Sequence, residues 1–179
     1  MACINKNFLI TGLPGVGKTT LVKKLSGELK LFHPVGFYTA EIRKGGQRLG
    51  FELISLDGKR GLLSHVEIKS PYRVGKYRVD VRGFEHFFES ISFFDSLNRL
   101  ILLDEIGKME CLSDRFKRFL KEALDSEKWV IATIALKGTE LIEEVKQRKD
   151  VKIFEISERN RDHLPEEIIR EMTANLFFR

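Results

Sequence analysis

Residues 7–20 read Asn7-Phe8-Leu9-Ile10-Thr11-Gly12-Leu13-Pro14-Gly15-Val16-Gly17-Lys18-Thr19-Thr20. The stretch 7–11 is a short apolar run, which predicts a buried strand. Gly12 to Thr19 then match the pattern GxxxxGK[ST] in full. Beyond Lys18, Leu21, Leu25 and Leu29 recur every fourth residue, which predicts a helix over 18–30. A glycine-rich turn between a strand and a helix is built for phosphate. Its backbone N–H groups wrap the anion, and the helix presents its positive end to it. The glycines let the chain turn tightly and approach without a Cβ in the way. In such a loop the lysine neutralises the outer phosphate oxygens and the threonine hydroxyl ligates Mg²⁺. Gly12, Leu13, Pro14, Gly15, Val16, Gly17, Lys18, Thr19 and Thr20 are therefore candidate nucleotide-binding residues. The bland alternative is an ordinary turn with a surface lysine. The flanking strand and helix weigh against it.

Outward from this turn, short apolar runs alternate with helix-period segments. That pattern predicts an α/β fold with a parallel sheet and helices on both faces. Further strands are expected at 99–104, 129–134 and 151–156. One insert breaks the alternation. Residues 35–42 and 49–56 flank the turn Lys44-Gly45-Gly46-Gln47 and read as a β-hairpin, with a third short strand at 61–64 after Asp57-Gly58. Residues 70–82 are loop-like around Pro71 and Gly75, with Tyr77, Val79 and Val81 alternating. A helix is expected over 84–97, its buried face being Phe84, Phe87, Phe88, Ile91, Phe94 and Leu97. Ser113 can cap a helix whose inner face is Phe116, Phe119, Leu120 and Ala123. A short helix is expected over 139–148. Pro165 opens the last helix, which buries Ile168, Ile169, Met172 and Leu176.

The chain has 179 residues and a mass of 20.7 kDa, which suits one domain spanning 1–179. With 42% hydrophobic residues it can bury a core. The longest apolar candidate, at 99–103, is strand-sized, and MACINKNFLI lacks the features of a signal peptide. Neither membrane spanning nor secretion is expected. Cys3 and Cys111 lie far apart, as two reduced thiols of a cytoplasmic protein would. The net charge of +5 suits an anionic ligand but is too diffuse to indicate nucleic acid. Many charges and only two glutamines, Gln47 and Gln147, resemble thermophile composition. His33, His65, His86 and His163 have no ligand spacing. Arg43, Lys44, Arg48, Lys59 and Arg60 flank the hairpin, either to meet an anion or to keep edge strands from aggregating.

A second signal is Leu100-Ile101-Leu102-Leu103-Asp104-Glu105. The apolar run places Asp104 at the C-terminal edge of a buried strand, where ligands bind in open α/β sheets. Asp104 can serve Mg²⁺ together with Thr19. Glu105 can polarise a water that attacks the γ-phosphate. Leu102 and Leu103 are counted with them in the nucleotide-binding set. Thr133, at the end of strand 129–134, is a candidate γ-phosphate sensor or a structural hydrogen bonder. Asn160-Arg161-Asp162 is similar to a guanine-reading Asn-Lys-x-Asp but is one residue shorter. Arg161 can stack on a base, and a capped loop is the alternative. Lys108 is the favoured catalytic cation, because Gly107 would let the chain turn and aim it back. Arg161 is the second candidate.

The segments ITGLPGVGKTTLVKKL, GFYTAEIRKGGQRLGFELISLDGKRG, VGKYRVDV, LLDEIGKME, ATIALKG and ERNRDHLPEEI occur in this order. Together they resemble the family of small nucleoside-triphosphatases of thermophilic bacteria, archaea and vertebrates, which includes the cancer-related nucleoside-triphosphatases. The resemblance covers nearly the whole chain. Ala40 departs from it, since members often carry an acidic residue there. The resemblance implies a P-loop NTPase three-layer sandwich: a RecA-like, mostly parallel sheet with an added antiparallel hairpin. It implies slow, Mg²⁺-dependent hydrolysis of nucleoside triphosphates with a broad base range, ATP, GTP, CTP and UTP alike. A monomer is expected. Two other readings stand beside it. One is a P-loop kinase of a nucleoside or small molecule, against which residues 133–151 offer only Arg148 as a lid arginine. The other is a nucleotide-gated switch acting on nucleic acid or protein, for which the sequence carries no nucleic-acid motif.

Overall fold

The computed structural model describes residues 5–176. Cys3 and the side chain of Leu176 lie outside the described residues. In chain order the elements are β1 (Asn7–Thr11), α1 (Lys18–Glu28), β2 (Pro34–Lys44), β3 (Gln47–Ser55), β4 (Arg60–His65), β5 (Arg73–Val74) and β6 (Tyr77–Val79). They continue with α2 (Val81–Glu89), β7 (Leu100–Ile106), α3 (Asp114–Asp125), β8 (Trp129–Ile134), α4 (Glu140–Lys146), β9 (Val151–Glu155) and α5 (Leu164–Leu176).

The strands form one nine-stranded sheet in the order β5-β6-β4-β3-β2-β7-β8-β1-β9. From β2 to β9 the neighbours are parallel. From β2 outward to β5 they are antiparallel. One strand, β8, therefore separates the phosphate-loop strand β1 from the acidic strand β7, as a RecA-like sheet requires. After β1 the chain leaves to one side, and after β8 it crosses to the other. The turn after β1 thus sits at the switch point, where such sheets bind ligands.

Alternation along the central strands sorts two cores. Phe8 and Ile10 of β1, Leu100 and Leu102 of β7, and Trp129 and Ile131 of β8 pack with Leu21, Val22 and Leu25 of α1 and with Ile168 and Met172 of α5. Leu9, Ile101, Leu103, Val130 and Ala132 face the opposite way, toward Phe84 of α2, Phe116 of α3 and Ile142 of α4. Burial on both faces is why these strands read as continuous apolar runs. Each fully buried Leu or Ile there contributes about 1.5–3 kcal/mol.

The structure corrects several sequence expectations. Helix α2 replaces the longer helix expected over 84–97. It starts earlier because Asp80 Oδ1 accepts from the Gly83 N–H at 2.9 Å. It stops because serine, aspartate and asparagine side chains claim the backbone that follows. Ser90 Oγ donates to Phe87 O at 2.6 Å, Leu97 N to Asp95 Oδ1 at 2.9 Å, and Asn98 Nδ2 to Ser92 O at 2.7 Å. Such local bonds compete with helix. Phe94 and Leu97 end up 41% and 70% exposed. Phe93 takes the core position instead, 4.4 Å from the Phe119 ring centre. The hairpin is longer than expected, running to a two-residue turn at Gly45 and Gly46 with φ of 56° and 78°. Residues 73–79 add two further short strands, so the insert is a four-stranded extension of the sheet.

Candidate active site

The turn between β1 and α1 has the geometry of an anion cradle. Gly15 and Gly17 hold φ of 79° and 112°, conformations that side chains resist. Gly12 is required for a different reason. A Cβ there would lie 2.5 Å from the Ile156 carbonyl oxygen. The segment after β9 is laced against it, with Ile156 N donating to Thr11 O at 2.8 Å. Helix α1 opens on Gly17 with no side-chain cap and no acid in its first turn. Its leading N–H groups and its dipole are left to an anion. Lys18 Nζ spans the loop, donating to Gly12 O at 3.0 Å and Leu13 O at 3.2 Å. Leu13, Pro14 and Thr20 are exposed at the rim, and Val16 is buried beneath it.

Asp104, 2% exposed, ties three strands to this loop. Its Oδ2 accepts from Thr19 Oγ1 at 2.6 Å, and its Oδ1 accepts from Thr133 Oγ1 at 2.8 Å. The N–H and hydroxyl of Thr39 approach Oδ2 at 3.5 Å each. Thr133 is fully buried and its hydroxyl is taken by Asp104. It orients that carboxylate, as the structural hydrogen bonder among the two roles expected for it would. Leu102 and Leu103 are fully buried, one in each core, and present no surface to a ligand. They hold Asp104 in place, which corrects their place in the nucleotide-binding set. Thr39 was not singled out from sequence. It lies just past the β2–β7 ladder, in which Phe37 pairs with Leu103.

Glu105 is partly buried. Burial pushes its carboxyl above the usual range, the Lys18 charge opposes that, and Asp104 adds to it. It lines a cavity of about 240 Å³ together with Thr39, Phe51, Lys108, Met109 and Glu110. Gly107 sits between the carboxylates. Its φ is not among the left-handed ones, so the chain does not need glycine there in order to turn. A Cβ on it would lie 2.8 Å from Glu110 Oε2 and 3.4 Å from Glu105 Oε2. Its smallness makes room for the two acids, which corrects the expected reason for that glycine. Lys108 is exposed on the cavity rim. Glu110, 4% exposed, is the second residue that sequence reasoning missed. Burial pushes its carboxyl up to about 8, and the charges of Glu105 and Asp104 add to the rise.

In the loop after β9 the Asn160 side chain is turned onto its own backbone. Asn160 Oδ1 accepts from Ser157 N at 2.7 Å and Ser157 Oγ at 3.1 Å, and its Nδ2 donates to Glu155 O at 2.8 Å. The amide braces its own loop, and Arg161 is exposed beside it. The cleft of about 320 Å³ that borders the phosphate loop is walled instead by Leu13, Pro14, Leu136, Ser157 and Glu158.

The family model described as NTPase matches residues 7–169. A nucleoside-triphosphatase THEP1 of Thermotoga maritima is 48% identical over 169 residues, covering 94% of this chain and 96% of that protein. The cancer-related nucleoside-triphosphatase of Homo sapiens is 40% identical over 180 residues, covering 92% and 95%. The crystal structure of THEP1 from the hyperthermophile Aquifex aeolicus superposes with a TM-score of 0.81 at 33% identity, over 93% of this chain and 98% of that one. The solution structure of the human cancer-related nucleoside triphosphatase gives 0.75 at 38% identity, over 92% and 95%.

Proposed function

This chain belongs to the NTPase family, and from that premise we infer that it hydrolyses nucleoside triphosphates to the diphosphate and phosphate at the turn between β1 and α1. The observation that carries the placement is the 2.6 Å bond joining Thr19 of the loop to Asp104, with Glu105 next in sequence. Loop N–H groups, the start of α1 and Lys18 bind the β and γ phosphates. Thr19 and Asp104 offer hard oxygen donors. Among the described residues no three His, Cys, Asp or Glu side chains gather as a metal cage. That set fits Mg²⁺, which takes one or two carboxylates and fills its shell with phosphate and water. Bound there, Mg²⁺ supplies charge neutralisation across the phosphate oxygens.

Glu105 is the base. It takes a proton from the attacking water as the water oxygen bonds to the γ-phosphorus and the bond to the β-bridging oxygen breaks. Its raised affinity for protons moves it toward the neutral range that suits a general base. Lys108, on the rim of the cavity that Glu105 lines, is the cation we assign to the developing phosphate charge, and its exposure accords with slow turnover. Leu13, Pro14 and Leu136 offer apolar stacking surface that does not distinguish one base from another, which supports a broad base range. No helix of the described residues is long and apolar enough to cross a membrane. The cytoplasm, where nucleoside triphosphates and reduced thiols coexist, is the compartment this reading implies.

A phosphate-release assay over ATP, GTP, CTP and UTP, with Mg²⁺ and with chelator, tests the reading. Values of kcat/KM within about tenfold of one another are expected, a spread of about 1.4 kcal/mol. A preference of about a thousandfold (roughly 4 kcal/mol) for one base would overturn the broad range. Equal release with chelator would overturn the metal assignment.

A further inference from the structure

The cavity that Glu105 lines is larger than hydrolysis requires. Its volume is about 240 Å³. One water takes up about 30 Å³ of liquid, and an apolar cavity of about 150 Å³ is enough for benzene. The phosphate loop supplies none of the walls. Most come from the antiparallel extension: Thr39 of β2, Phe51 of β3, Leu63 of β4 and Val74 of β5. Met109 and Ala135, which follow β7 and β8, complete the apolar lining. Thr39 and Glu105 mark the end nearest the phosphates, because both adjoin Asp104. Thr39 does so through its N–H and hydroxyl at 3.5 Å, and Glu105 as the next residue in the chain.

The remaining polar groups have their own places. The Glu110 carboxyl accepts from the backbone N–H groups of Gly107 and of its own residue, so it serves the wall. Lys108 stands exposed on the rim. Residues 133–151 bring no arginine over the phosphates, since Arg148 is bound by Asp125 at 2.7 Å and by Asp150 at 2.8 Å. Shielding the reaction from bulk water therefore falls to the cavity walls. Apolar walls with a few polar groups at one end are the make-up of a small-molecule site. Phe51, Val74, Met109 and Ala135 are each only partly buried, so all four keep apolar surface to offer. A single ring fills such a space better than water does, and one hydroxyl on it finds Thr39 and Glu105 as partners. A neutral body suits a cavity that already holds two acids.

We propose that this cavity is an acceptor pocket, and that the protein also transfers the γ-phosphoryl group of a nucleoside triphosphate to the hydroxyl of a small, neutral, single-ring alcohol. This rests on the reading of Glu105 as the base. The step balances as hydrolysis does. The alcohol oxygen bonds to the γ-phosphorus, and its proton passes to the Glu105 carboxylate. The bond from the γ-phosphorus to the β-bridging oxygen breaks. The products are a phosphate monoester and the nucleoside diphosphate, and Glu105 then gives its proton to solvent. The ring lies against Phe51, Leu63 and Val74, with its hydroxyl toward Thr39 and Glu105. Hydrolysis is the same reaction with water in the place of the alcohol.

The test supplies ATP, Mg²⁺ and benzyl alcohol as the probe, and follows ADP, phosphate and benzyl phosphate by phosphorus NMR. It uses the wild type, Val74→Trp and, as a control, Glu105→Gln. The readout is benzyl phosphate formed per phosphate, which cancels any change in overall rate. Chance capture of the phosphoryl group from solution gives at most the molar ratio of alcohol to water. A bound and oriented alcohol is expected to exceed that ratio by about 100-fold or more. The yield should also saturate as alcohol is added. Val74→Trp fills the pocket from the edge strand β5 and should lower the product ratio by about tenfold or more. Should Val74→Trp fail to fold, the size and saturation of the wild-type yield decide alone. Phosphate as the only product, a yield at or below the molar ratio, or an unchanged ratio in Val74→Trp overturns the proposal. Glu105→Gln should lose both products together. Normal phosphate release by Glu105→Gln would overturn the base assignment, whereas wild-type phosphate release without benzyl phosphate overturns the acceptor pocket alone.

Discussion

Substituting Glu110 with glutamine is expected to stabilise the protein in alkaline solution and to do little in acid. The carboxyl is raised from 4.5 to about 8 on folding, with burial as the main cause. An acid whose folded value is raised favours the native state fully below the unfolded value. That contribution is lost as pH rises from about 4.5 through about 8, because the unfolded chain releases the proton first. At about 1.4 kcal/mol per pH unit, the span corresponds to roughly 5 kcal/mol at pH 9. Glutamine keeps the shape, the donor and the contacts but has no proton to lose. Thermal unfolding followed by circular dichroism at pH 5, 7 and 9, without nucleotide, reads the effect. The variant's midpoint should lie on the order of 10 °C above wild type at pH 9 and converge with it toward pH 5. A gap that is the same at every pH would refute the buried-acid reasoning, since it would then come from packing and not from ionisation.

Three further outcomes follow from the site. Lys18→Ala should abolish turnover and weaken triphosphate binding, measured by phosphate release and nucleotide titration, because no other side chain of the loop carries a positive charge. Asp104→Asn should raise the Mg²⁺ concentration needed for half-maximal rate as well as slow the reaction, since the carboxylate that meets Thr19 is lost. Lys108→Ala should lower kcat with little change in nucleotide affinity, and an unchanged kcat would remove it as the catalytic cation.

The parallel half of the sheet was legible because its strands are apolar on both faces, and a residue such as Leu102 leaves no doubt about burial. The phosphate loop was legible because its chemistry is local: Gly12 to Thr19 are contiguous and need no distant partner to be recognised. What failed to show depends on register or on competition. Thr39 reaches Asp104 only because β2 pairs with β7, and a threonine in a hairpin strand carries no mark of that. Glu110 reads like a loop acid. Its one signal is the company of Met109, Cys111 and Leu112, which fold inward and take it with them. The phenylalanine periodicity through Phe94 and Leu97 overstated helix α2, because the side chains of Ser90, Asp95 and Asn98 satisfy backbone groups locally. The Asn160 amide is likewise taken up by its own loop, which its sequence neighbours alone do not show. Gly107 was noticed for turning freedom, whereas the two carboxylates beside it need the space.

The claim at the centre of this account is that Glu105, and not Asp104, activates the water. Glu105→Gln tests it most directly, because the substitution keeps the size and one acceptor oxygen and removes the charge. Nucleotide and Mg²⁺ titrations are to be paired with single-turnover phosphate release on the same protein. The account predicts nucleotide and Mg²⁺ binding close to wild type, with the rate of phosphate release down by about two to four orders of magnitude, the scale of a general base. A variant that binds normally and hydrolyses normally would contradict it, and the water would have to be activated elsewhere.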